Sequence, residues 1–144
     1  GYENPEEILD TFPILDAYPL KNIAIHARIG KQLYKGGVNL EAFEKCIEST
    51  RHKLYYNGDI TSVAKLKEMQ TRFPSIDHFM IGRGLIADPF LPSMIKNDTT
   101  EYPENRWDIF GNILRSLFLI HKKPLRKSKR RITQERISKL LVRF

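Results

Sequence analysis

Lys53-Leu54-Tyr55-Tyr56-Asn57-Gly58-Asp59 is a short apolar run stopped by a turn-forming triplet, and its reading decides the fold. A run of this length, rich in aromatic residues, suits a buried strand, and Asn-Gly-Asp suits the turn that ends it. The same pattern recurs on both sides. Upstream, Asn22-Ile23-Ala24-Ile25-His26 reads as a short strand; downstream, His78-Phe79-Met80-Ile81 reads as another, ended by Gly82-Arg83-Gly84. Leu40, Phe43 and Ile47 mark the face of a helix opened by Asn39, and Val63, Leu66 and Met69 mark one capped by Thr61 or Ser62. The strands end near residues 26, 57 and 82 with a helix between each pair, the rhythm of βαβ units with parallel strands. Strands apolar on both faces suit a sheet covered by helices on one side and closed on the other. Polar and glycine residues at the strand ends are where (β/α)₈ barrels keep their active sites. Such a barrel needs eight strands and about 250 residues. Three strands are legible here, so the expected fold class is α/β, part of a TIM barrel.

Working outward, Asn4-Pro5-Glu6-Glu7 is a helix start: the asparagine caps, proline fits the first position and the acids suit the positive helix end. Ile8, Leu9, Phe12 and Leu15 form its apolar stripe, and Pro13 is expected to bend or end it. Beyond Ile95 the pattern changes. Residues 97–105 are polar and turn-forming; Trp107, Phe110, Ile113, Leu114, Leu117 and Phe118 then repeat at helical spacing, as do Ile132, Ile137, Leu140 and Leu141. The expected second region is α-helical.

The net charge of +7 is concentrated there: residues 121–144 hold ten Lys/Arg and one acid, Glu135. Such asymmetry points to a polyanion met by one end of the molecule. Lys127, Lys129, Arg130 and Arg131 belong to a run that reads either as a solvated face or as a phosphate-backbone contact without sequence specificity. No apolar run approaches the roughly 20 residues of a membrane helix, so no membrane partner is expected. The single cysteine, Cys46, excludes an internal disulfide and suits a reducing cytoplasm. It lies mid-helix, away from every strand end, and reads as a structural thiol. The scattered histidines and the lack of paired cysteines predict no metal site.

The strand ends carry the candidate chemistry. Asn57-Gly58-Asp59 and Gly82-Arg83-Gly84 close consecutive strands, where barrels commonly hold phosphate on backbone N–H groups that glycine leaves open. Arg83 adds a planar charged fork suited to phosphate oxygens. The alternative is two tight turns with a surface arginine. His26 could donate to a phosphate oxygen or serve as a structural histidine; Arg28 could face an anionic cofactor or RNA. Tyr34, in the loop ending Lys35-Gly36-Gly37, could stack on a base or simply pack.

Taken together, Ile25-His26-Ala27-Arg28, Gln32-Leu33-Tyr34-Lys35-Gly36, Tyr56-Asn57-Gly58-Asp59-Ile60, Met80-Ile81-Gly82-Arg83-Gly84 and Asp88-Pro89-Phe90 resemble the tRNA-dihydrouridine synthases in order and spacing. The resemblance implies that residues 1–92 are the C-terminal portion of an FMN-binding TIM barrel and residues 93–144 a helical, basic tRNA-binding domain. In that family NADPH reduces FMN, FMN passes hydride to a uracil of tRNA, and a cysteine gives the proton. The resemblance implies that His26, Asn57, Gly58, Asp59, Gly82 and Arg83 bind FMN, chiefly its phosphate, with Arg28, Tyr34, Lys127, Lys129, Arg130 and Arg131 toward the RNA. It places the catalytic cysteine, a flavin-contacting lysine and a first flavin loop upstream, so no catalytic residue is expected in this chain and the chain alone is expected to be inactive. Three strands cannot close a barrel, and self-association through the open edges is expected. Two readings compete: another FMN or phosphate-binding barrel enzyme, which need not have the basic tail, and a non-catalytic RNA-binding module, which leaves the strand ends without a role.

Overall fold

The structure, a computed structural model, describes residues 1–122. Lys127, Lys129, Arg130, Arg131 and the apolar repeat from Ile132 lie outside the described residues.

The expected N-terminal cap forms: Asn4 Oδ1 accepts from the Glu6 N–H at 2.9 Å, and Glu7 accepts from the Asn4 N–H at 2.7 Å. The helix it opens is a 3₁₀ segment, Pro5–Thr11, which passes into α1 (Phe12–Leu15). Pro13 therefore sits where the helix type changes, in the first turn of α1, where a missing N–H is harmless. Then follow β1 (Ile23–His26), α2 (Leu40–Ser49), β2 (Leu54–Asn57), α3 (Val63–Arg72), β3 (Phe79–Met80), α4 (Arg83–Ala87), α5 (Leu91–Lys96) and α6 (Arg106–Lys122). Asn39 and Ser62 cap α2 and α3, accepting from Ala42 N–H at 2.9 Å and Lys65 N–H at 3.0 Å.

The strands form one parallel sheet in the order β1-β2-β3. His26 lies opposite Asn57, and Asn57 opposite Met80, so the C-terminal strand ends are level. Side chains alternate between the faces of a strand. Ile25, Leu54 and Tyr56 point into a core with Phe43 and Cys46 of α2, Leu66 and Met69 of α3, and Phe73. Phe43 meets Tyr56 and Phe73 edge-on, both at 5.0 Å between centroids; burying each of these side chains contributes about 1.5–3 kcal/mol. The opposite face differs from the expectation of two apolar faces. It carries Ala24, His26, Tyr55, Asn57 and Met80, none of them buried. Period-two alternation hides this in strands only two to four residues long, where one polar residue is easily read as a strand end.

Helix α5 spans positions 92 and 93 with Leu91 and Met94 in the core, and the polar stretch follows it. Trp107, Leu114 and Leu117 of α6 are exposed. Among the described residues no helix is long and apolar enough to cross a membrane.

Candidate functional site

Level strand ends bring the loops after β1, β2 and β3 around one cavity of about 610 Å³. His26, Arg28, Tyr34, Asn57, Asp59, Gly82 and Arg83 all line it. Residues 31 or more positions apart thus meet because three parallel strands end at one edge.

Asp59 is the centre of the arrangement. Its φ of 45° is left-handed, a conformation Asp tolerates better than most residues. There it accepts from Arg28 through both oxygens, at 3.0 and 2.5 Å. Oδ1 also accepts from Arg83 Nη2 at 2.5 Å. The Arg28 bonds first, with Arg83 adding to them, hold the Asp59 carboxyl below the usual carboxylate range. Two guanidinium groups share one carboxylate, which leaves the cluster with a surplus positive charge.

The arginines differ in what remains free. The Arg28 side chain is only 4% exposed; its terminal N–H groups go to Asp59, to the Gly36 carbonyl at 2.6 Å and to His26 Nε2 at 3.3 Å. The sequence suggests that Arg28 faces a ligand, but its terminal donors are committed to the protein. Arg83 is half exposed, and its guanidinium carbon lies 4.3 Å over the exposed ring of Tyr34. Arginine only donates, so His26 Nε2 must accept and a neutral ring carries its proton on Nδ1. Partial burial, then Arg28, push His26 below its ordinary pKa, which favours that neutral form.

The glycines divide as well. At Gly82 an added Cβ would meet nothing within 4 Å, so backbone there is open to the cleft. Gly58 is buried and does not line the cavity: a Cβ would come within 2.8 Å of Tyr56 Oη and 2.9 Å of Val38 Cγ1. At Gly84 it would stand 2.2 Å from the Ile60 carbonyl oxygen, so only glycine lets α4 approach that backbone. Sequence reasoning missed the Gly36 carbonyl, whose signal was the Lys35-Gly36-Gly37 turn with Gly36 at φ 67°. It also missed Thr61, which lines the cavity and carried no signal beyond its place after a strand end. Cys46 is buried in α2, and burial pushes its thiol up. No cluster of three or more metal-ligating side chains occurs among the described residues.

A parallel sheet with intervening helices, and a charged cavity at its C-terminal strand ends, is the arrangement of part of a barrel-type α/β fold. The family model described as dihydrouridine synthase (Dus) matches residues 3–140, and the chain belongs to that family. It is 36% identical over 73 residues to a probable tRNA-dihydrouridine synthase of Rickettsia prowazekii, covering 51% of this chain and 22% of that protein. A protein of the same name from Rickettsia typhi is 34% identical over 96 residues, 66% of this chain and 29% of the relative. One from Helicobacter pylori is 29% identical over 106 residues, 72% and 31%. The chain thus spans less than a third of the length of these relatives.

Proposed function

We propose that the cleft is the phosphate-holding end of an FMN site in a tRNA-dihydrouridine synthase that reduces uridine to 5,6-dihydrouridine with NADPH as reductant. The observation that carries this reading is Arg83 beside the open backbone of Gly82, in a cavity with surplus positive charge, in a chain of this family. The donor set fits a phosphate: a guanidinium fork, glycine backbone without a side chain in the way, and a cavity within the usual size for a cofactor. FMN, once reduced, would supply the hydride. Of the chain's own residues, Arg83, Gly82 and Asn57 would hold the phosphate end, and His26 would offer its Nδ1 proton to it. Gly58 would keep the turn compact, and Asp59 would orient the arginines. Tyr34, on the exposed side of Arg83, would face the uracil.

tRNA is the proposed partner, drawn to the basic run Lys127, Lys129, Arg130 and Arg131, and the reducing cytoplasm is the proposed compartment. The proton donor implied by the resemblance has no counterpart in Cys46, which is buried mid-helix. The chain alone is therefore proposed to be inactive, with self-association proposed through the outer edges of β1 and β3, which pair with no further strand among the described residues.

Flavin retention tests the reading. In the full-length protein Arg83→Ala should bind FMN about 10–100-fold more weakly, since a charge-assisted hydrogen bond contributes about 1.5–3 kcal/mol. Equal flavin content in mutant and parent would remove Arg83 from the site. For the tail, neutralising the four basic residues should flatten the salt dependence of tRNA binding by roughly 0.9 in slope for each duplex phosphate the tail no longer neutralises. Fluorescence anisotropy at several salt concentrations reads that slope, and an unchanged value would make the run a solvated face.

A further inference from the structure

The loop from Ile29 to Val38 carries Tyr34 to the cleft, and it is held in a shape it would not adopt unaided. Leu33 sits at φ 55°, unfavourable for a branched side chain, and is 69% exposed, so no packing explains it. Local bonds from Gln32 Nε2 to the Lys35 and Gly37 carbonyls tie the loop to itself. The Gly30 N–H donates to the Gly1 carbonyl at 2.9 Å, which ties its start to the N-terminal segment. Its far side is tied to the sheet by the Arg28 bond to the Gly36 carbonyl. That arginine is in turn clamped by Asp59, at the end of the next strand, which also holds Arg83.

We propose that Arg28 is a positioning residue rather than a ligand contact: clamped by Asp59 and bonded to the Gly36 carbonyl, it fixes the loop of Tyr34 against the strand ends and so sets where the Tyr34 ring stands relative to Arg83. The planar fork suits this task because it reaches a carboxylate with two N–H groups and keeps others for a carbonyl and an imidazole. Lysine, a point charge, cannot span that set. The tether stands whatever the cleft binds; only its consequence for the ligand rests on the functional reading above.

The two members of the clamp act alike on the loop and oppositely on the cleft's charge. Arg28→Met or Asp59→Asn removes one side of the clamp, so both should free the loop. Arg28→Met lowers the surplus positive charge, whereas Asp59→Asn raises it and keeps a side chain that tolerates a left-handed backbone. A purely local packing role for Arg28 would not give the shared loop effect, whereas the opposed charge effect follows from the two substitutions in either case and reports only on the cleft.

Limited trypsin digestion of the 144-residue chain, with inorganic phosphate titrated against the same proteins and the Gly82 and Arg83 amides followed by NMR, tests this. Cleavage after the exposed Lys31 and Lys35 should rise about tenfold in Arg28→Met and Asp59→Asn, the loss of one charge-assisted bond, while cleavage after Lys67 in α3 stays at the parent rate. Arg28→Lys should fall between them and the parent. Phosphate should bind Arg28→Met more weakly and Asp59→Asn more tightly. Unchanged cleavage at Lys31 and Lys35, or an equal rise at Lys67, would overturn the tether. Should Arg28→Met fail to fold, Asp59→Asn and Arg28→Lys decide it on the same sites. Phosphate that binds no variant, nor the parent, would count against the functional reading, and the digestion result would still decide the tether.

Discussion

At the C-terminal ends of the strands Arg28, Asp59 and Arg83 share charge around a cavity, whereas at the N-terminal ends Lys53 reaches Asp77 at 2.8 Å in open water. Residue types are nearly the same at the two ends. His78 Nδ1 donates to Asp77 at 2.5 Å and its ring stacks on Tyr55 at 4.4 Å, much as His26 stands by Arg28 and near Tyr34. His52, also at this end, is half-buried, with Nε2 3.1 Å from the Leu15 carbonyl and 3.5 Å from Asp16. What differs is the balance. At the cleft one carboxylate serves two guanidinium groups, leaving charge to offer a ligand; at the other end Asp77 alone faces one lysine and one histidine in solvent. An acid–base cluster marks a site when it is desolvated and unbalanced beside a cavity, and the residue types alone do not tell the two ends apart.

The comparison is broken most directly by removing the central charge. Asp59→Asn leaves the Arg28 side chain buried with its carboxylate gone, and breaking such a pair should cost about 3 kcal/mol, the low end for buried pairs because Asn can still accept a hydrogen bond. Urea denaturation of the two proteins reads it. A loss no larger than that of a surface mutant would mean that the cleft's charges are screened like those at the other end.

Glycines sharpen the contrast within the cleft itself. Gly84→Ala places a methyl group 2.2 Å from the Ile60 carbonyl oxygen, a backbone atom that cannot step aside, and should destabilise by about 1–3 kcal/mol. Gly82→Ala meets open space and should leave the unfolding midpoint nearly unchanged while weakening phosphate binding. Equal effects of the two on stability would erase the distinction between packing and binding glycines.

Much of this fold is legible because its signals are local. Asn39 and Ser62 cap helices through bonds spanning three residues, and Asn57-Gly58-Asp59 and Gly82-Arg83-Gly84 stop the strands where their turn chemistry predicts. The site is legible only as a set of strand ends. That Asp59 clamps Arg28 and holds Arg83 depends on bonds across 31 and 24 residues and on a left-handed backbone at Asp59, none of which has a local signature. Nor does sequence separate Gly58, pressed against Tyr56, from Gly82, which faces space. Both read as turn glycines.

The pH dependence is smaller and has a definite sign. His26 and Asp59 both have folded values below their ordinary ones of 6.5 and 3.8, so the unfolded chain binds protons first. The stability they contribute is present above those values and is lost as pH falls, beginning below 6.5 for His26 and below 3.8 for Asp59. Tyr56 works in the other direction: burial pushes its phenol from 10.0 up to about 12, so stability is lost as pH rises beyond 10. Unfolding midpoints from about pH 3.5 to 11 should therefore fall at both ends. Abolition of the acid step below pH 6.5 in His26→Gln would tie it to the cleft; its persistence would take it away from His26.

The smallest effect is expected where the ion pair looks most complete. The Asp77 carboxyl is pushed down to about 2, first by its bond to Lys53 and then by His78, a depression that elsewhere would mark a strong interaction. Yet the side chains of Lys53 and Asp77 are 47% and 62% exposed, and water and salt screen such a pair while holding two mobile side chains together costs entropy. Asp77→Asn should therefore leave the urea midpoint within experimental scatter of the parent. At about 1 M salt, where the screening length is about 3 Å, even that residue of difference should vanish, whereas the Asp59→Asn deficit should largely remain because the side chain of its partner Arg28 is buried. A salt-resistant loss in Asp77→Asn matching that of Asp59→Asn would show that desolvation is not what separates the two ends of the sheet, and the case for a site at only one of them would have to rest on the cavity alone.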